Sequence, residues 1–226
     1  MDDDGGGVNN TLKIITMKTL FKILLLALII NSCANSSKSE IELPPKEVNL
    51  NELKSILSKD ILSKKFVYFK DKAGKDVKIS IIHTEMKEPA RLNSGFDYTR
   101  ELSYIHYKNE ERRISVMVNL SSQLSTDNLP IPTSSIFVSN DVNDHADFLA
   151  SEVFMNYNSN LKKLTNVPSF SKEIEDDIVL NKTFKKVFRS AWENDPYKNQ
   201  LGFNATYGVI SLNDFDKNLY VFDRFE

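Results

Sequence analysis

Apolar and polar residues alternate along most of the chain beyond residue 50, which is the pattern of β-strands with one buried face. Ile114, Val116, Val118 and Leu120, for example, mark one such predicted face. Strands are predicted at 66–70, 77–81, 100–108, 114–120, 136–138, 178–180, 183–191, 202–212 and 219–225. Because most of these strands carry polar residues at alternate positions, we expect an antiparallel sheet with one face in water.

The predicted strands are joined by short segments that contain glycine, proline or clusters of polar residues. Turns or loops are predicted at 71–75, around Pro89 and Gly95, and at 109–111, 121–134, 181–182 and 213–218. We expect hairpins across 71–75, 109–111 and 213–218.

Helical spacing of apolar residues occurs twice. The first predicted helix covers 51–62, with Asn51 as its N-cap. Its apolar stripe consists of Leu50, Leu53, Ile56, Leu57 and Ile61. The second begins at an Asn140 or Asp141 cap and has apolar residues three or four apart, namely Ala146, Leu149, Ala150, Val153, Phe154, Tyr157 and Leu161. The expected fold is therefore α+β, a mainly antiparallel twisted sheet or open barrel of hairpins with two covering helices.

The N-terminal region has the pattern of an export signal. Lys18 and Lys22 precede an unbroken apolar run at 23–30, which is far shorter than the ~20 residues of a membrane-spanning helix. Residues 17–32 are therefore predicted to be a signal peptide. Residues 1–16 carry acidic side chains where such a signal needs basic ones, and we interpret them as an upstream extension outside the mature protein.

The only cysteine of the chain, Cys33, lies where the apolar run gives way to polar residues. The segment Ile30, Asn31, Ser32 and Cys33 resembles the lipobox of bacterial lipoproteins, although Asn31 departs from the usual pattern. The resemblance implies cleavage between Ser32 and Cys33 and lipidation of Cys33 on its thiol and its amine. Two alternatives remain open at this stage, a secretory cut after Ala34 and an uncleaved signal anchor.

A lipidated Cys33 would attach the chain to a membrane of the bacterial cell envelope, on the periplasmic or the surface-exposed side. Residues 33–49 are polar and contain the Pro44-Pro45 pair, so we expect a lipidated cysteine followed by a flexible tether. Residues 50–226 are long enough for one globular domain with its own core.

The C-terminal region resembles small exported lipoproteins of Bacteroidetes-type bacteria. The likeness is carried by residues 204–212, which include Tyr207-Gly208, and by residues 216–222. Members of this group often have Asn-Gly before the preceding strand, where this chain has Asn181-Lys182. The resemblance implies a cellular location and a closing hairpin, and no activity.

Composition excludes several classes of function. The chain has 29 basic and 31 acidic residues and a formal net charge of -2, so we expect no nucleic-acid partner. One cysteine excludes an intramolecular disulfide and a zinc site built from cysteines. The seven glycines form no phosphate-binding motif. We predict no catalytic residues, no metal ligands and no cofactor.

Two groups of residues are nevertheless candidates for chemistry. His83 and His106 fall on consecutive predicted strands near Glu85 and Glu101, where a metal or a general base would be possible. Ordinary hydrogen-bonded histidines are the expected alternative. The second group is Asp141, Asp144, His145 and Asp147. Acidic residues at a helix start complement its dipole, which explains this second group without a bound cation.

Three further clusters have simpler explanations. An acidic run is expected on a solvated face and comprises Glu173, Glu175, Asp176 and Asp177. A basic set, interleaved with Phe184 and Phe188, is expected on the wet face of a strand and comprises Lys162, Lys163, Lys182, Lys185, Lys186 and Arg189. Aromatic residues near the C-terminus are expected mostly in the core and comprise Tyr197, Phe203, Tyr207, Tyr220, Phe222 and Phe225.

The leading hypothesis is a membrane-anchored envelope lipoprotein whose domain is non-catalytic and binds a protein, glycan or lipid. One alternative is an exported hydrolase or metal-dependent enzyme that uses His83 and His106. Another is a carrier whose curved sheet encloses an apolar ligand.

Overall fold

The structure, a computed structural model, describes residues 46–125, 131–140, 152–191, 200–214 and 216–226. They belong to the compact unit Pro44–Glu226. Within these ranges, no helix is long and apolar enough to cross a membrane.

In the described residues, two short helices and thirteen strands follow one another. The helices are α1 (Asn51–Ile56) and α2 (Lys59–Ser63). The strands before the gap after Asn140 are β1 (Glu47–Val48), β2 (Phe66–Lys70), β3 (Asp76–Arg91), β4 (Asp97–Asn109), β5 (Ile114–Leu124) and β6 (Pro132–Asn140). Those after it are β7 (Glu152–Asn158), β8 (Lys163–Asn166), β9 (Ser171–Val179), β10 (Lys182–Ser190), β11 (Gly202–Asn204), β12 (Gly208–Asn213) and β13 (Leu219–Phe225).

The strands form one antiparallel sheet that curls into a nearly closed barrel. Its order is β8-β7-β6-β5-β4-β3-β2-β13-β12-β11-β10-β9, and only the short β1 pairs in parallel, with β4. β13 lies beside β2, which brings the end of the chain against its first long strand. The two ends of the order approach one another, since β7 and β8 lie against β9 and β10. The predicted mainly antiparallel open barrel is confirmed.

The core lies inside the barrel and under the helices. Alternate residues of the strands point inward, so Val67 and Phe69 of β2 meet Ile79 of β3 and Val116 of β5 in one cluster. The predicted buried face of β5 is confirmed, because Ile114, Val116, Val118 and Leu120 are all fully buried. Tyr107 of β4 is among the largest fully buried side chains. The barrel interior is therefore filled by the protein's own side chains.

The first predicted helix is present as two helices. Leu57 adopts an extended backbone and ends α1, and Ser58 caps α2 by accepting a hydrogen bond from the Asp60 amide at 3.3 Å. The predicted Asn51 cap is wrong, because Leu50 is the N-cap residue and α1 has no side-chain cap. The apolar stripe is confirmed, with four buried members, Leu50, Leu53, Leu57 and Ile61.

The second predicted helix is wrong in its C-terminal half, because Glu152–Asn158 is the strand β7. Val153 and Met155 are fully buried and Phe154 between them is not, so the period is two. Spacing of three and four also occurs by chance among β-branched and aromatic residues, and pairing with β6 and β8 decides the outcome. The N-terminal half, including its Asp141 cap, lies outside the described residues.

Two predicted loops are shorter than expected, and one predicted strand is divided. β3 continues through Pro89 to Arg91. β2 pairs with β3 only at residues 76–80, so the edge of β3 that faces away from β4 has no paired strand at Pro89. Proline lacks a backbone N–H, and an unpaired strand edge tolerates this loss. β5 and β6 likewise extend into 121–134. The predicted strand 202–212 is two strands, β11 and β12, separated by a turn at 205–207.

Candidate functional site

Several predicted site residues cannot be placed. Ser32 and Cys33, the predicted cleavage and lipidation residues, lie outside the described part of the chain. The same holds for the acidic cluster and for one aromatic residue, namely Asp141, Asp144, His145, Asp147 and Tyr197.

His83 and His106 lie on neighbouring strands but on opposite faces of the sheet. In the β3–β4 ladder His83 pairs with Ile105, and Ile82 pairs with His106. Because successive side chains of a strand alternate in direction, His83 shares the inner face with buried Ile105 while His106 points outward. The outward ring lies 2.9 Å from the Ser115 hydroxyl. The structure therefore does not bring the two imidazoles together.

The surroundings of His83 favour its neutral form. Burial lowers the pKa of His83 below its ordinary value of 6.5, and a hydrogen bond with the backbone of Lys64 only partly offsets this. Its Nε2 atom is buried without a hydrogen-bond partner in the described structure. Within the same residues, no group of three or more histidine, cysteine, aspartate or glutamate side chains is placed to hold a metal ion.

The two glutamates that the sequence places near the histidines are committed to helix α1. Lys54 Nζ donates to Glu101 Oε1 at 2.6 Å and to Glu85 Oε1 at 2.7 Å, and Glu101 also accepts from the Leu50 amide at 2.9 Å. Burial works against the charged lysine, but these hydrogen bonds outweigh it and raise the pKa of Lys54. The cluster holds the start of α1 against β3 and β4.

Of the acidic run on β9, the two glutamates are exposed to solvent and the two aspartates form ion pairs. Glu173 and Glu175 are exposed, as predicted, and Asp176 pairs with Lys185 at the surface. Asp177 Oδ2 instead accepts from Arg189 Nε at 2.5 Å, with the two side chains 13% and 3% exposed. The prediction of a wet-face residue is wrong for Arg189, because its side chain is buried in this ion pair.

The aromatic residues near the C-terminus are mostly core, as predicted. Phe203 and Phe222 are buried, and Tyr220 is buried with its hydroxyl donating to Asp214 at 2.7 Å. Burial and this carboxylate raise the pKa of Tyr220 to about 12. Tyr207 is the exception, since it is 39% exposed while its ring contacts Phe222 at 5.0 Å.

A cavity of about 670 Å³ lies on the outer surface at β2, β3 and β4. Its charges are of both signs and are largely paired. Asp76 bonds Lys70 at 2.7 Å and Arg224 at 2.9 Å, and Lys78 pairs with Glu226 at 2.5 Å while lying over the Phe66 ring. Such a surface has no preference for an anion or a cation.

A second cavity, of about 270 Å³, has a different character. It is lined by four residues of the predicted basic set, Lys162, Lys163, Lys185 and Lys186, and we call it the lysine pocket. Its inner wall is apolar, with Leu164 of β8 and Phe188 of β10. The two other members of the basic set lie elsewhere, since Lys182 pairs with Asp223 and Arg189 with Asp177.

The lysine pocket lies where the barrel is not closed by backbone pairing. β8 and β9 follow one another and are the two ends of the strand order. Buried Ser171, the first residue of β9, joins them at one end of this seam. Its hydroxyl donates to the Phe154 carbonyl and accepts from the Val167 amide at 3.1 Å. Farther along, Lys163 and Glu173 both line the lysine pocket.

Sequence patterns alone do not reveal the lysine pocket. Lys162 ends the turn after β7, Lys163 begins β8, and Lys185 and Lys186 belong to β10, so the four residues converge only when the barrel curls. The two paired basic doublets were the available signal, but the helix predicted through Leu161 hid the β7–β8 hairpin.

The comparisons with known proteins give no assignment, since no family model, curated protein or solved structure matches the chain.

Proposed function

We propose that the protein is a lipid-anchored protein of the bacterial cell envelope whose barrel domain binds a partner instead of catalysing a reaction. One observation carries the proposal. The single cysteine, Cys33, stands directly after a basic and then apolar leader, in the lipobox-like order Ile30-Asn31-Ser32-Cys33.

The position of the folded unit agrees with such an anchor. The compact unit begins at Pro44 and its first strand at Glu47, so a short polar segment separates Cys33 from the barrel. Each buried methylene of an acyl chain contributes about 0.8 kcal/mol, and stable anchoring needs more than one chain. Lipid on both the thiol and the amine of Cys33 would supply them.

The barrel supports a binding role better than a catalytic one. His83 and His106 face opposite sides of the sheet, and Glu85 and Glu101 are engaged by Lys54. The filled interior also disfavours a carrier that encloses its ligand inside the barrel. A protein, glycan or lipid partner would therefore meet the outer surface or the lysine pocket.

Metabolic labelling tests the anchor. Cells that express the full chain are grown with an alkyne fatty acid, and the wild type is compared with Cys33→Ala. We expect label and membrane association in the wild type, and loss of both in the variant. The matched control Ser32→Ala keeps the cysteine and a small residue before it, so it should retain the label.

Two results would contradict the anchor. An unlabelled wild type that stays in the membrane would indicate an uncleaved signal anchor. An unlabelled wild type in the soluble fraction would indicate a secretory cut.

A further inference from the structure

We propose that the lysine pocket binds a small amphiphilic anion, whose acidic group lies among the ammonium groups and whose apolar part packs on Phe188 and Leu164. The proposal names a ligand class for the binding domain proposed above and rests on that function, although it does not require the lipid anchor.

The charge around the lysine pocket favours an anion. Of the four lysines, Lys185 has an ion pair, with Asp176. In the described part of the chain no ion pair is found for Lys162, Lys163 or Lys186, and Glu173 is the one carboxylate that lines the lysine pocket. Four positive charges thus lie around one small cavity, although the chain has a net charge of -2. An anion bound there would reduce the repulsion between the lysines.

The lysine pocket also has an apolar wall. Phe188 is 3% exposed and Leu164 is 5% exposed, and both belong to the main core, so the lysine pocket reaches down to the core. Ile56, at the end of α1, lines the same cavity and is only partly buried, so it adds apolar surface that water can reach. An acyl or alkyl group would cover this surface, whereas an inorganic anion would leave it in water.

The size of the lysine pocket favours a small ligand. Ligand pockets are typically about 300–1,000 Å³, and the lysine pocket, at about 270 Å³, lies just below this range. A cavity of this volume fits a short-chain acid better than a nucleic acid or a folded protein surface.

Two of the four lysines have a strained backbone conformation. Lys162 and Lys186 have φ values of 49° and 51°, a left-handed conformation that costs free energy for any residue with a Cβ atom. Asn204 fixes the adjacent wall, because its side chain donates to the Lys185 carbonyl at 3.2 Å and accepts from the Tyr207 amide at 2.7 Å. Two lysines are thus held at strained positions beside the same cavity.

The test is a titration of the full-length chain in detergent micelles, with micelles alone as the blank. Hexanoate is the probe, and its affinity is measured by calorimetry. Acetate lacks the apolar part and 1-hexanol lacks the charge, so each should bind at least tenfold more weakly. Hexyl phosphate distinguishes a phosphate-bearing ligand from a carboxylate, according to which of the two acidic probes binds more tightly.

The Lys162→Gln/Lys186→Gln double variant should weaken hexanoate binding at least tenfold. Lys59→Gln/Lys172→Gln changes the net charge equally at exposed lysines outside the lysine pocket and should stay within twofold of the wild type.

The proposal is overturned if the wild type does not bind hexanoate, if 1-hexanol binds equally well, or if the two double variants behave alike. Labelling at Cys33 is read separately. Label without hexanoate binding removes the ligand assignment alone, whereas loss of label removes the anchor and leaves the binding result unaffected.

Discussion

The barrel is closed in two different ways on its two sides. Near Gly208 the strands β11, β12, β13 and β2 are joined by backbone ladders. The packing there is so tight that an added Cβ atom at Gly208 would lie 2.6 Å from the Tyr107 hydroxyl. At the seam, β8 and β9 are held by Ser171 and by side-chain packing, and the lysine pocket opens beside them. The difference suggests that the tight side supplies stability and the seam supplies access for a ligand.

Gly208→Ala, on the tight side, should cause the largest loss of stability. Gly208 has a φ of +73°, and its new methyl group would collide with the buried Tyr107 hydroxyl and lie 3.4 Å from Ile61. We expect the free energy of unfolding to fall by about 2–4 kcal/mol, through strain and overpacking together. Urea denaturation of purified protein measures this change.

A matched glycine separates the two contributions. Gly74 has a φ of +78° and nothing within 4 Å of an added Cβ atom. Gly74→Ala should therefore cost only about 1 kcal/mol, from the backbone alone. Tyr107→Phe should recover part of the loss in a Gly208→Ala background. Equal costs at the two glycines would contradict the tight contact.

Ser171→Ala should have the next largest effect, at the seam. It removes the buried hydroxyl that bonds the Phe154 carbonyl and the Val167 amide, and leaves both partly buried groups short of a partner. We expect a loss of about 1–2 kcal/mol. Hydrogen exchange should accelerate in β7, β8 and β9 more than in β12 and β13.

The exposed Ser63 provides a control for this variant. Its hydroxyl donates to the Lys59 carbonyl within α2, and Ser63→Ala should change neither stability nor exchange measurably. Uniform acceleration over the whole sheet in Ser171→Ala would mean that the seam does not open separately.

His83 should make stability depend on pH, with a smaller effect. Its pKa is lowered in the folded protein by burial, so below about pH 6.5 the unfolded chain binds a proton that the folded chain resists. The free energy of unfolding should therefore decrease as the pH falls through this range toward the folded pKa. His83→Gln should flatten that part of the profile, as measured by urea denaturation at a series of pH values.

Asp176→Asn should have the smallest effect on stability. Its ion pair with Lys185 is exposed, and such pairs contribute little. The denaturation midpoint should stay within error of the wild type, while hexanoate affinity should rise about twofold because Lys185 loses its competing carboxylate. A clear loss of stability, or weaker hexanoate binding, would contradict the division between the two sides.

Local sequence patterns predict where the strands lie along the chain better than they predict which strands lie side by side. The alternation at Ile114, Val116 and Val118 and the turn at Gly74 depend on residues close in sequence, and both are confirmed. The sequence predicts a helix at β7, because Val153 and Tyr157, four residues apart, fit both periods and Phe154 adds a helical spacing of three to Tyr157. Only pairing with β6 and β8 selects the strand. The lysine pocket depends on β8 and β10 lining one cavity across the seam, an arrangement that no local pattern specifies.

The central claim is the lipid on Cys33, and the most direct measurement is mass spectrometry of the N-terminal peptide of the protein purified from membranes. The account predicts a mature chain that begins at Cys33 and carries acyl chains on this residue. A peptide in which Cys33 is unmodified and still joined to Ser32, or a mature chain that begins after Ala34, would contradict it.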